Sequence, residues 1–519
     1  MFFSADEIEY GSILECDLCI VGSGAAGLTV AREFCGRRER VLLLESGGFD
    51  LDPETQALYE CEVMNPRTPP LTEVRLRFFG GTTNHWTGTS RPLDELDFHP
   101  RAHVASSGWP FALDHLTPYY RRAAALLQIE PSFTGNSPDS NRPLAFDSPW
   151  LESDHYFRIN PLRFAQAYRD DIASADNIRV VLDANVLHLS ANPIASRVET
   201  ATVATLSGRR FSVKSSVFVL ATGGVENARI LLNSDDVEAS GLGNRYDNVG
   251  RYYQDHPNVT DSGQIAFTAY SSSILYYLHR VDEREVGHHG FFWPTPMAQE
   301  KWGMLNCGIW LMPIEEVRTT PGLASLRHIG RKLGDGRIPD DFARHLLRAA
   351  GDIDGIFATV YRKLAGVGPQ LYTTWFWSEC APDRDSRVTL TSERDALGQR
   401  RARVDWRIPD QYVHTYRCMY DLLAHELGRV GLARVQINNV GPGEDPREHV
   451  ASSAHHMGTT RMHVDPKHGV VDANCRVHGI ENLFVAGSSV FPTYGQTAAT
   501  YTIVALALRL ADHLKQGLS

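Results

Sequence analysis

The apolar positions at the start of the chain predict a strand, a helix and a second strand. Residues 17–21 form a short apolar run that is typical of a buried parallel strand, and residues 41–44 form another. Between them, a turn rich in glycine leads into residues 28–34, where apolar side chains recur at helical spacing. The pattern therefore predicts a βαβ unit.

The rest of the chain indicates a second part with a different character. Apolar runs at 216–220 and 483–485 predict two more short strands, and an amphipathic pattern predicts a final helix from about residue 500 to 514. Between about 260 and 450 the chain carries many aromatic residues and alternating segments such as 387–391, which indicate a sheet. We therefore predict an α/β protein with a nucleotide-binding domain built from separate stretches and a second, sheet-based lobe inserted into it.

Composition and charge exclude some functions. The 519 residues are 43% hydrophobic and 22% charged, as in ordinary globular proteins, and this length predicts two or three lobes. The formal net charge of −11 argues against a nucleic-acid-binding surface. No apolar run is long enough for a membrane helix, and the first residues do not resemble an export signal, so we expect a cytoplasmic protein.

The eight cysteines are scattered, as expected in a reducing compartment. Cys16 and Cys19 have the spacing of a metal-binding pair, but they fall in a predicted strand and no second pair follows at zinc spacing. We expect ordinary strand residues and no metal site.

Gly22, Gly24 and Gly27 form a dinucleotide-binding fingerprint. The first glycine allows a tight turn, the second lets the backbone approach a diphosphate, and the third lets the helix pack closely on the strand. The helix that follows presents free N–H groups to the phosphates. Glu45 lies 18 residues after Gly27, where an acidic side chain accepts hydrogen bonds from a ribose. The fingerprint thus predicts an adenine dinucleotide, although it does not separate NAD from FAD.

Four further motifs resemble the glucose–methanol–choline (GMC) oxidoreductases in order and spacing. They lie at residues 80–87, 221–229, 455–462 and 484–492, and the similarity spans nearly the whole chain, being weakest between about 260 and 370. The resemblance implies a Rossmann-like FAD-binding domain and a β-sheet substrate-binding domain. It gives residues 1–60, 178–256 and 448–519 to the FAD-binding domain, 61–177 to a segment that contacts the flavin and covers it, and 257–447 to the substrate-binding domain.

The resemblance also implies which residues hold the cofactor. They are Gly22, Gly24, Ala25, Gly27, Glu45, Gly81, Thr82, Asn84, His85, Val186, Ala221, Gly487, Ser488, Ala498 and Thr500. His85 stands in a motif similar to that of pyranose oxidases, in which this histidine is bonded covalently to the flavin. The sequence leaves two roles open for His85, a covalent link or simple packing beside FAD.

Alcohol oxidation needs a base that removes the hydroxyl proton while hydride leaves the same carbon, and histidine has a suitable pKa. In the family this base belongs to a His-x-x-Gly-Thr segment, and the spacing from Gly458 and Thr459 implies His455. We expect the adjacent His456 to point elsewhere.

The second catalytic position departs from the family pattern. A histidine or asparagine is usual there, whereas this chain has Ala498, which cannot donate a hydrogen bond to a developing alkoxide. Three explanations compete. A nearby group takes over (Tyr494, Gln496, Thr497, or His456 as a further accessory candidate), the substrate supplies its own hydroxyl, or the enzyme has left alcohol oxidation.

The motif at 80–87 is nearest to that of bacterial sugar-oxidising relatives, so we predict a sugar or glycoside as substrate and O₂ or an external molecule as electron acceptor. Trp375 and Trp377 share one face of a predicted strand, which is either pocket or core. Glu379 is either a substrate ligand or a turn residue. The alternatives to an alcohol oxidoreductase are a GMC-fold lyase or natural-product cyclase, an NAD-dependent dehydrogenase, and a non-catalytic binding protein.

Overall fold

The computed structural model describes residues 1–130, 142–269, 271–282, 285–314, 321–334, 339, 341–353, 356 and 371–518. The strands are β1 Phe2–Ser4, β2 Ile13–Val21, β3 Val41–Leu44, β4 Glu62–Val63, β5 Thr89–Ser90, β6 Leu151–Ile159, β7 Ile178–Leu182, β8 Asn185–Ala191, β9 Val198–Ala204, β10 Arg210–Leu220, β11 Pro257–Phe267, β12 Arg280–Val281, β13 Gly287–Pro294, β14 Cys307–Pro313, β15 Leu371–Ser378, β16 Arg387–Arg394, β17 Arg400–Asp405, β18 Ala433–Ile437, β19 Ala451–Ser452 and β20 Leu483–Val485.

The α-helices are α1 Ala25–Glu33, α2 Pro53–Ala57, α3 Leu71–Val74, α4 Glu95–Phe98, α5 Leu113–Leu127, α6 Phe164–Ser174, α7 Gly223–Asn233, α8 Pro296–Trp302, α9 Pro321–Gly334, α10 Phe342–Gly351, α11 Asp410–Arg429 and α12 Thr500–Leu518. Short 3₁₀ turns occur at Ala5–Glu7, Gly81–Asn84, Ser272–Tyr277, Pro446–His449 and Ser488–Val490. None of the helices in the described ranges is both long and apolar enough to cross a bilayer.

The first sheet has eight strands in the order β1-β7-β3-β2-β10-β9-β8, and β20 also pairs with β10. Strands β2, β3, β7, β10 and β20 run parallel, while β8 and β9 form an antiparallel edge. Residues 18–20 of β2 are fully buried, which explains their continuous apolar pattern. Helix α12 packs on α1 and α5 beside this sheet. The predicted Rossmann-like α/β fold is confirmed.

The second sheet has nine strands in the order β18-β11-β15-β14-β13-β6-β5, with β12 and β19 at its margins. Its pairings are antiparallel. Alternate residues of β15, including Phe376, are buried against α11, whereas Trp375 and Trp377 on the other face are only partly buried. A third, three-stranded sheet has the order β16-β17-β4. The sheets agree with the predicted two-part organisation, and the domain boundaries stay predictions.

Several element predictions are confirmed closely. Strands β3 and β20 begin and end at the predicted residues, and β2 and β10 extend the predicted runs toward their N-terminal ends. Cys16 and Cys19 lie in β2 as buried, free thiols, so they are ordinary strand residues.

Candidate active site

A cavity of about 740 Å³ lies where the first sheet meets the second. The carboxyl ends of β2, β3 and β10 open into it, which is where ligands bind in open α/β sheets. Most of the predicted site residues line it, namely Gly22, Gly24, Ala25, Glu45, Gly81, Thr82, His85, Val186, Ala221, His455, His456, Gly487, Ser488, Ala498 and Thr500. Gly27, Asn84, Gln496 and Thr497 do not line the cavity.

The glycine fingerprint forms the turn between β2 and α1. Gly22 has φ +97°, and a Cβ there would lie 2.7 Å from the Ala221 carbonyl oxygen. A Cβ on Gly27 would lie 1.8 Å from the Gly22 carbonyl oxygen, so Gly27 packs the helix onto the turn instead of facing the cavity. Around Gly24 no atom lies within 4 Å of the Cβ position, which leaves room for a ligand beside the helix N-terminus.

Glu45 fixes the fingerprint turn from the end of β3. Its carboxylate accepts hydrogen bonds from the Ser23 backbone N–H at 2.9 Å and the Ser23 hydroxyl at 2.5 Å. The Ser23 hydroxyl oxygen in turn accepts a hydrogen bond from the Gly80 N–H at 3.1 Å, which draws the loop of residues 80–85 onto the turn. Asn84 acts within that loop, where its side-chain amide donates to the Phe79 carbonyl at 2.9 Å. Asn84 is thus a loop-bracing residue.

The cavity fits an adenine dinucleotide. Gly24 and Gly487 leave empty space where a Cβ would stand, on the two loops that meet the predicted diphosphate position. Next to Val186, one of the residues that the resemblance implies for FAD, Asn185 lines the cavity and its buried Oδ1 has no hydrogen-bond partner among the described residues. An orphaned acceptor at this position is satisfied by a ligand donor.

At the other end of the cavity, His455 is hydrogen-bonded to a second histidine, which the sequence analysis missed. Nδ1 of His455 lies 3.0 Å from Nδ1 of His256, and Nε2 of His256 lies 3.1 Å from the Gly495 carbonyl oxygen. His256 is fully buried and precedes Pro257 at the start of β11. The Asp-His-Pro sequence at residues 255–257 is only a weak signal, because nothing in it indicates a partner 199 residues away.

The hydrogen bonds fix the protons on this pair. A carbonyl oxygen only accepts, so Nε2 of His256 carries a proton and its Nδ1 has a lone pair. That lone pair accepts from Nδ1 of His455, which must therefore carry the proton of the His455 ring. Nε2 of His455 is left unprotonated on the opposite side of the ring, and it has no hydrogen-bond partner within the described ranges. This is the tautomer that a general base requires.

Burial keeps both rings neutral. Burial, followed by the charge of Arg75, lowers the pKa of His455 to about 3. Burial and the neighbouring His455 hold the pKa of His256 well below its usual range. The carboxylate of Asp255 accepts hydrogen bonds from the backbone N–H groups of His256 and His455, at 2.7 and 2.9 Å, and so holds the backbone of both histidines.

The accessory candidates separate into two groups. His456 lines the cavity, as His455 does, but its ring lies toward Tyr253, with centroids 5.7 Å apart. Gln496 and Thr497 are fully buried away from the cavity, and their side-chain polar atoms have no partner among the described residues. Neither reaches the cavity surface, so the expectation that one of them replaces the missing donor beside Ala498 is not supported by their positions.

Three tryptophans form one wall of the cavity beside His455, at what is called the catalytic end below. Trp310, Trp375 and Trp377 line the cavity, and the rings of Trp310 and Trp377 stack with centroids 5.5 Å apart and planes 8° apart. The Trp377 ring lies 5.8 Å from the His455 ring. The indole N–H groups of Trp310 and Trp377 are buried without a partner in the described part of the chain. The wall thus offers flat apolar surface to the cavity.

Glu379 belongs to a buried ion pair outside the cavity. It is fully buried, forms a bidentate ion pair with Arg101, and accepts from the backbone N–H of Asn306 at 2.8 Å. It does not line the cavity. Of the two roles that the sequence left open for Glu379, substrate ligand and solvated turn residue, neither fits.

Comparison with known proteins finds a family model and relatives that are similar to this chain. Residues 382–507 match the family described as GMC oxidoreductase. The large subunit of a fructose dehydrogenase from Gluconobacter japonicus is 21% identical over 97% of this chain and 99% of that subunit. A 6'''-hydroxyparomomycin C oxidase from Streptomyces lividus is 24% identical over 96% of this chain and 92% of that protein.

The fold is also shared with solved structures. A formate oxidase from Aspergillus oryzae RIB40, in a structure concerned with FAD modification, superposes with a TM-score of 0.54 at 17% identity and covers 99% of this chain and 100% of that chain. At this identity the similarity shows the fold.

The matches therefore confirm the predicted oxidoreductase and the predicted cofactor FAD, and they do not favour the lyase or cyclase alternative. The ordered motifs, the match over residues 382–507 and the relatives that align along nearly the whole chain make this protein similar to the GMC oxidoreductases.

Proposed function

We propose that the protein oxidises a CH–OH group on a sugar or glycoside, with His455 as the base that removes the hydroxyl proton. The observation that carries this proposal is the hydrogen-bonded chain from the Gly495 carbonyl through His256 to His455. It leaves one unprotonated imidazole nitrogen at the catalytic end of the cavity, next to the tryptophan wall.

FAD, when bound along the fingerprint and the loop of residues 80–85, supplies the two-electron acceptor that takes hydride from the alcohol carbon. His455 contributes the other half of the reaction by accepting the hydroxyl proton at Nε2. His256 contributes the tautomer and the ring orientation, and burial of the pair keeps His455 neutral before the reaction.

The wall of Trp310, Trp375 and Trp377 supports a substrate with a flat apolar face. A sugar ring has such a face, because its axial C–H groups pack on an indole. Asn258 and Thr260 add polar groups to the same end of the cavity. The two relatives described above are named for a sugar and for an aminoglycoside, which agrees with this class.

The donor missing at Ala498 has two sources consistent with the cavity. One is a neighbouring hydroxyl of the substrate itself. The other is His456, whose buried Nε2 has no partner among the described residues while the residue lines the cavity. Removing one such donor typically costs about 10² to 10³ in rate, so a His456→Phe variant that keeps the wild-type rate assigns the role to the substrate.

An anaerobic screen of sugars and glycosides, followed at the visible flavin band, tests the proposal. We expect bleaching by at least one polyol in the wild type and a large loss of bleaching rate in His455→Gln with FAD still bound. Admission of air after bleaching distinguishes an oxidase from an enzyme that needs another acceptor. Bleaching of His455→Gln at the wild-type rate would show that another group is the base.

A separate measurement tests whether FAD is bonded covalently to the chain. Denaturing electrophoresis of the purified protein decides between the two roles of His85. A flavin band that migrates with the chain identifies a covalent link, and a colourless chain identifies His85 as a residue packed beside FAD.

A further inference from the structure

Arg75 is a cation in the cavity that has no ion-pair partner among the described residues. It lines the cavity immediately after α3, and its side chain makes no ion pair or hydrogen bond within the described ranges. The other arginine of this segment, Arg77, behaves differently, because it pairs with Glu226 and lies 4.2 Å above the Tyr59 ring. Arg75 and Arg77 thus differ in one property that matters for ligand binding, namely whether the guanidinium already has a partner among the described residues.

The backbone of Arg75 is fixed on both sides. Its N–H donates to the Leu71 carbonyl at 2.9 Å, and its carbonyl accepts from the Gln56 side chain at 2.5 Å. Oε1 of the same Gln56 amide accepts from the Arg77 N–H at 3.1 Å. The fold therefore holds the backbone of Arg75 in place, while its guanidinium has no partner in the part of the chain that the structure describes.

Such an arrangement is unfavourable unless something else is bound. A guanidinium does not lose its proton in proteins, so a partly buried Arg75 at the cavity surface favours an anion inside the cavity. The nearby carboxylate of Asp255 is already engaged by Ser452 and by the backbone of His256 and His455. No described carboxylate lies within ion-pair distance of Arg75, and its Nε is buried without a partner.

We propose that Arg75 binds an oxyanion of the molecule that fills the cavity. The guanidinium fork matches an anion with two oxygens on one atom, which a phosphate and a carboxylate share. Two sources have this chemistry, the diphosphate of FAD and a carboxylate on the substrate. The proposal rests on the proposed function in so far as FAD and an oxidisable substrate share this cavity.

Two measurements on the holoenzyme separate these sources, and neither needs turnover. The first is the rate of FAD release in raised salt, followed by the increase in flavin fluorescence. The second is a titration with acetate, followed by the change in the visible flavin spectrum. Loss of a charge-assisted hydrogen bond at this site predicts an effect of about 10- to 100-fold.

If the diphosphate is the partner, Arg75→Met releases FAD about 10- to 100-fold faster and leaves the acetate titration unchanged. If a substrate carboxylate is the partner, Arg75→Met keeps its FAD and loses acetate binding by a similar factor. Either result supports the proposal. Wild-type behaviour of Arg75→Met in both measurements overturns it.

Two further variants control the test. Arg75→Lys keeps the charge but loses the fork, so we expect a smaller change in the same measurement. If Arg75→Met does not fold, wild-type values for Arg75→Lys in both measurements would overturn the proposal. Arg245→Met removes the same charge at a site whose side chain is 71% exposed, and it should change neither measurement. If no alcohol bleaches the flavin, the proposed reaction fails while both readouts for Arg75 remain interpretable.

Discussion

Replacing His256 tests whether a buried hydrogen-bond partner orients the proposed base. His256 is fully buried, is hydrogen-bonded to His455 and packs with its ring 5.2 Å from the ring of Trp377, a contact that a phenyl ring preserves. His256→Phe keeps a ring of similar size and removes both nitrogens. Nδ1 of His455 then loses its acceptor, which lies 3.0 Å away in the wild type, and the Gly495 carbonyl loses the donor at 3.1 Å. The proton on the His455 ring is no longer held on the side away from the substrate.

The size of the effect follows from the lost hydrogen bond. Leaving a buried donor without a partner costs about 1 to 3 kcal/mol, and 1.36 kcal/mol corresponds to a factor of ten. Since this is the energy that holds the proton on Nδ1, we expect the limiting rate of anaerobic flavin reduction to fall by about 5- to 150-fold. Substrate affinity should change little, because His256 does not line the cavity.

The assay is stopped-flow reduction of the flavin over a range of substrate concentrations, which separates the limiting rate from the dissociation constant. His256→Asn offers an amide oxygen near the position of Nδ1 and should recover part of the rate. His478→Phe is the matched control, since its Nε2 also bonds a carbonyl, that of His463 at 2.8 Å, outside the cavity. If His256→Phe holds FAD and is reduced as fast as the wild type, the orientation of the base does not depend on this pair.

Three other variants have definite expected outcomes. Trp375→Ala should raise KM about tenfold with kcat unchanged, because a wall contact binds ground and transition states alike, whereas the buried Trp293→Phe should leave KM unchanged. Glu379→Gln leaves Arg101 buried without its counter-charge and should cost about 3 to 5 kcal/mol in thermal unfolding without a change in KM. The pKa of His455 is lowered from 6.5 to about 3, so the neutral ring stabilises the folded protein above pH 6.5 and this stabilisation is lost as the pH falls toward 3. The urea midpoint of His455→Gln should therefore decrease less between pH 6.5 and pH 4 than the midpoint of the wild type.

Sequence reasoning succeeded where the signal is local. The fingerprint Gly22 to Gly27 and the strand that ends at Leu44, just before Glu45, depend on short-range turn geometry and on burial of one continuous run, and both have clear patterns. It succeeded less where a residue's role depends on which way a segment runs in space. Gln496 and Thr497 have suitable polar groups, but their backbone turns them away from the cavity.

The features that sequence reasoning missed are contacts between distant segments. His256 and Arg75 acquire their roles from packing, one by contact with His455 and the other by the absence of a described carboxylate around it. Neither condition is visible in the residues next to them along the chain. An unpaired charge is a property of a whole neighbourhood, and only the folded chain defines that neighbourhood.

The alanine at position 498 and the histidine pair belong to one argument about how this site is built. The residues just before Ala498 act mainly through the backbone and through Tyr494. The Gly495 carbonyl holds His256, and the Tyr494 hydroxyl donates to the Asp255 carbonyl at 2.7 Å. Position 495 itself requires glycine, because its φ is +56° and a Cβ there would lie 2.2 Å from Oδ2 of Asp97, but nothing in the neighbouring residues indicates that its carbonyl binds His256. The segment that presents a second catalytic side chain in the GMC oxidoreductases that this chain resembles thus supports the proposed base here, and the alanine at position 498 is compatible with the proposed alcohol oxidation.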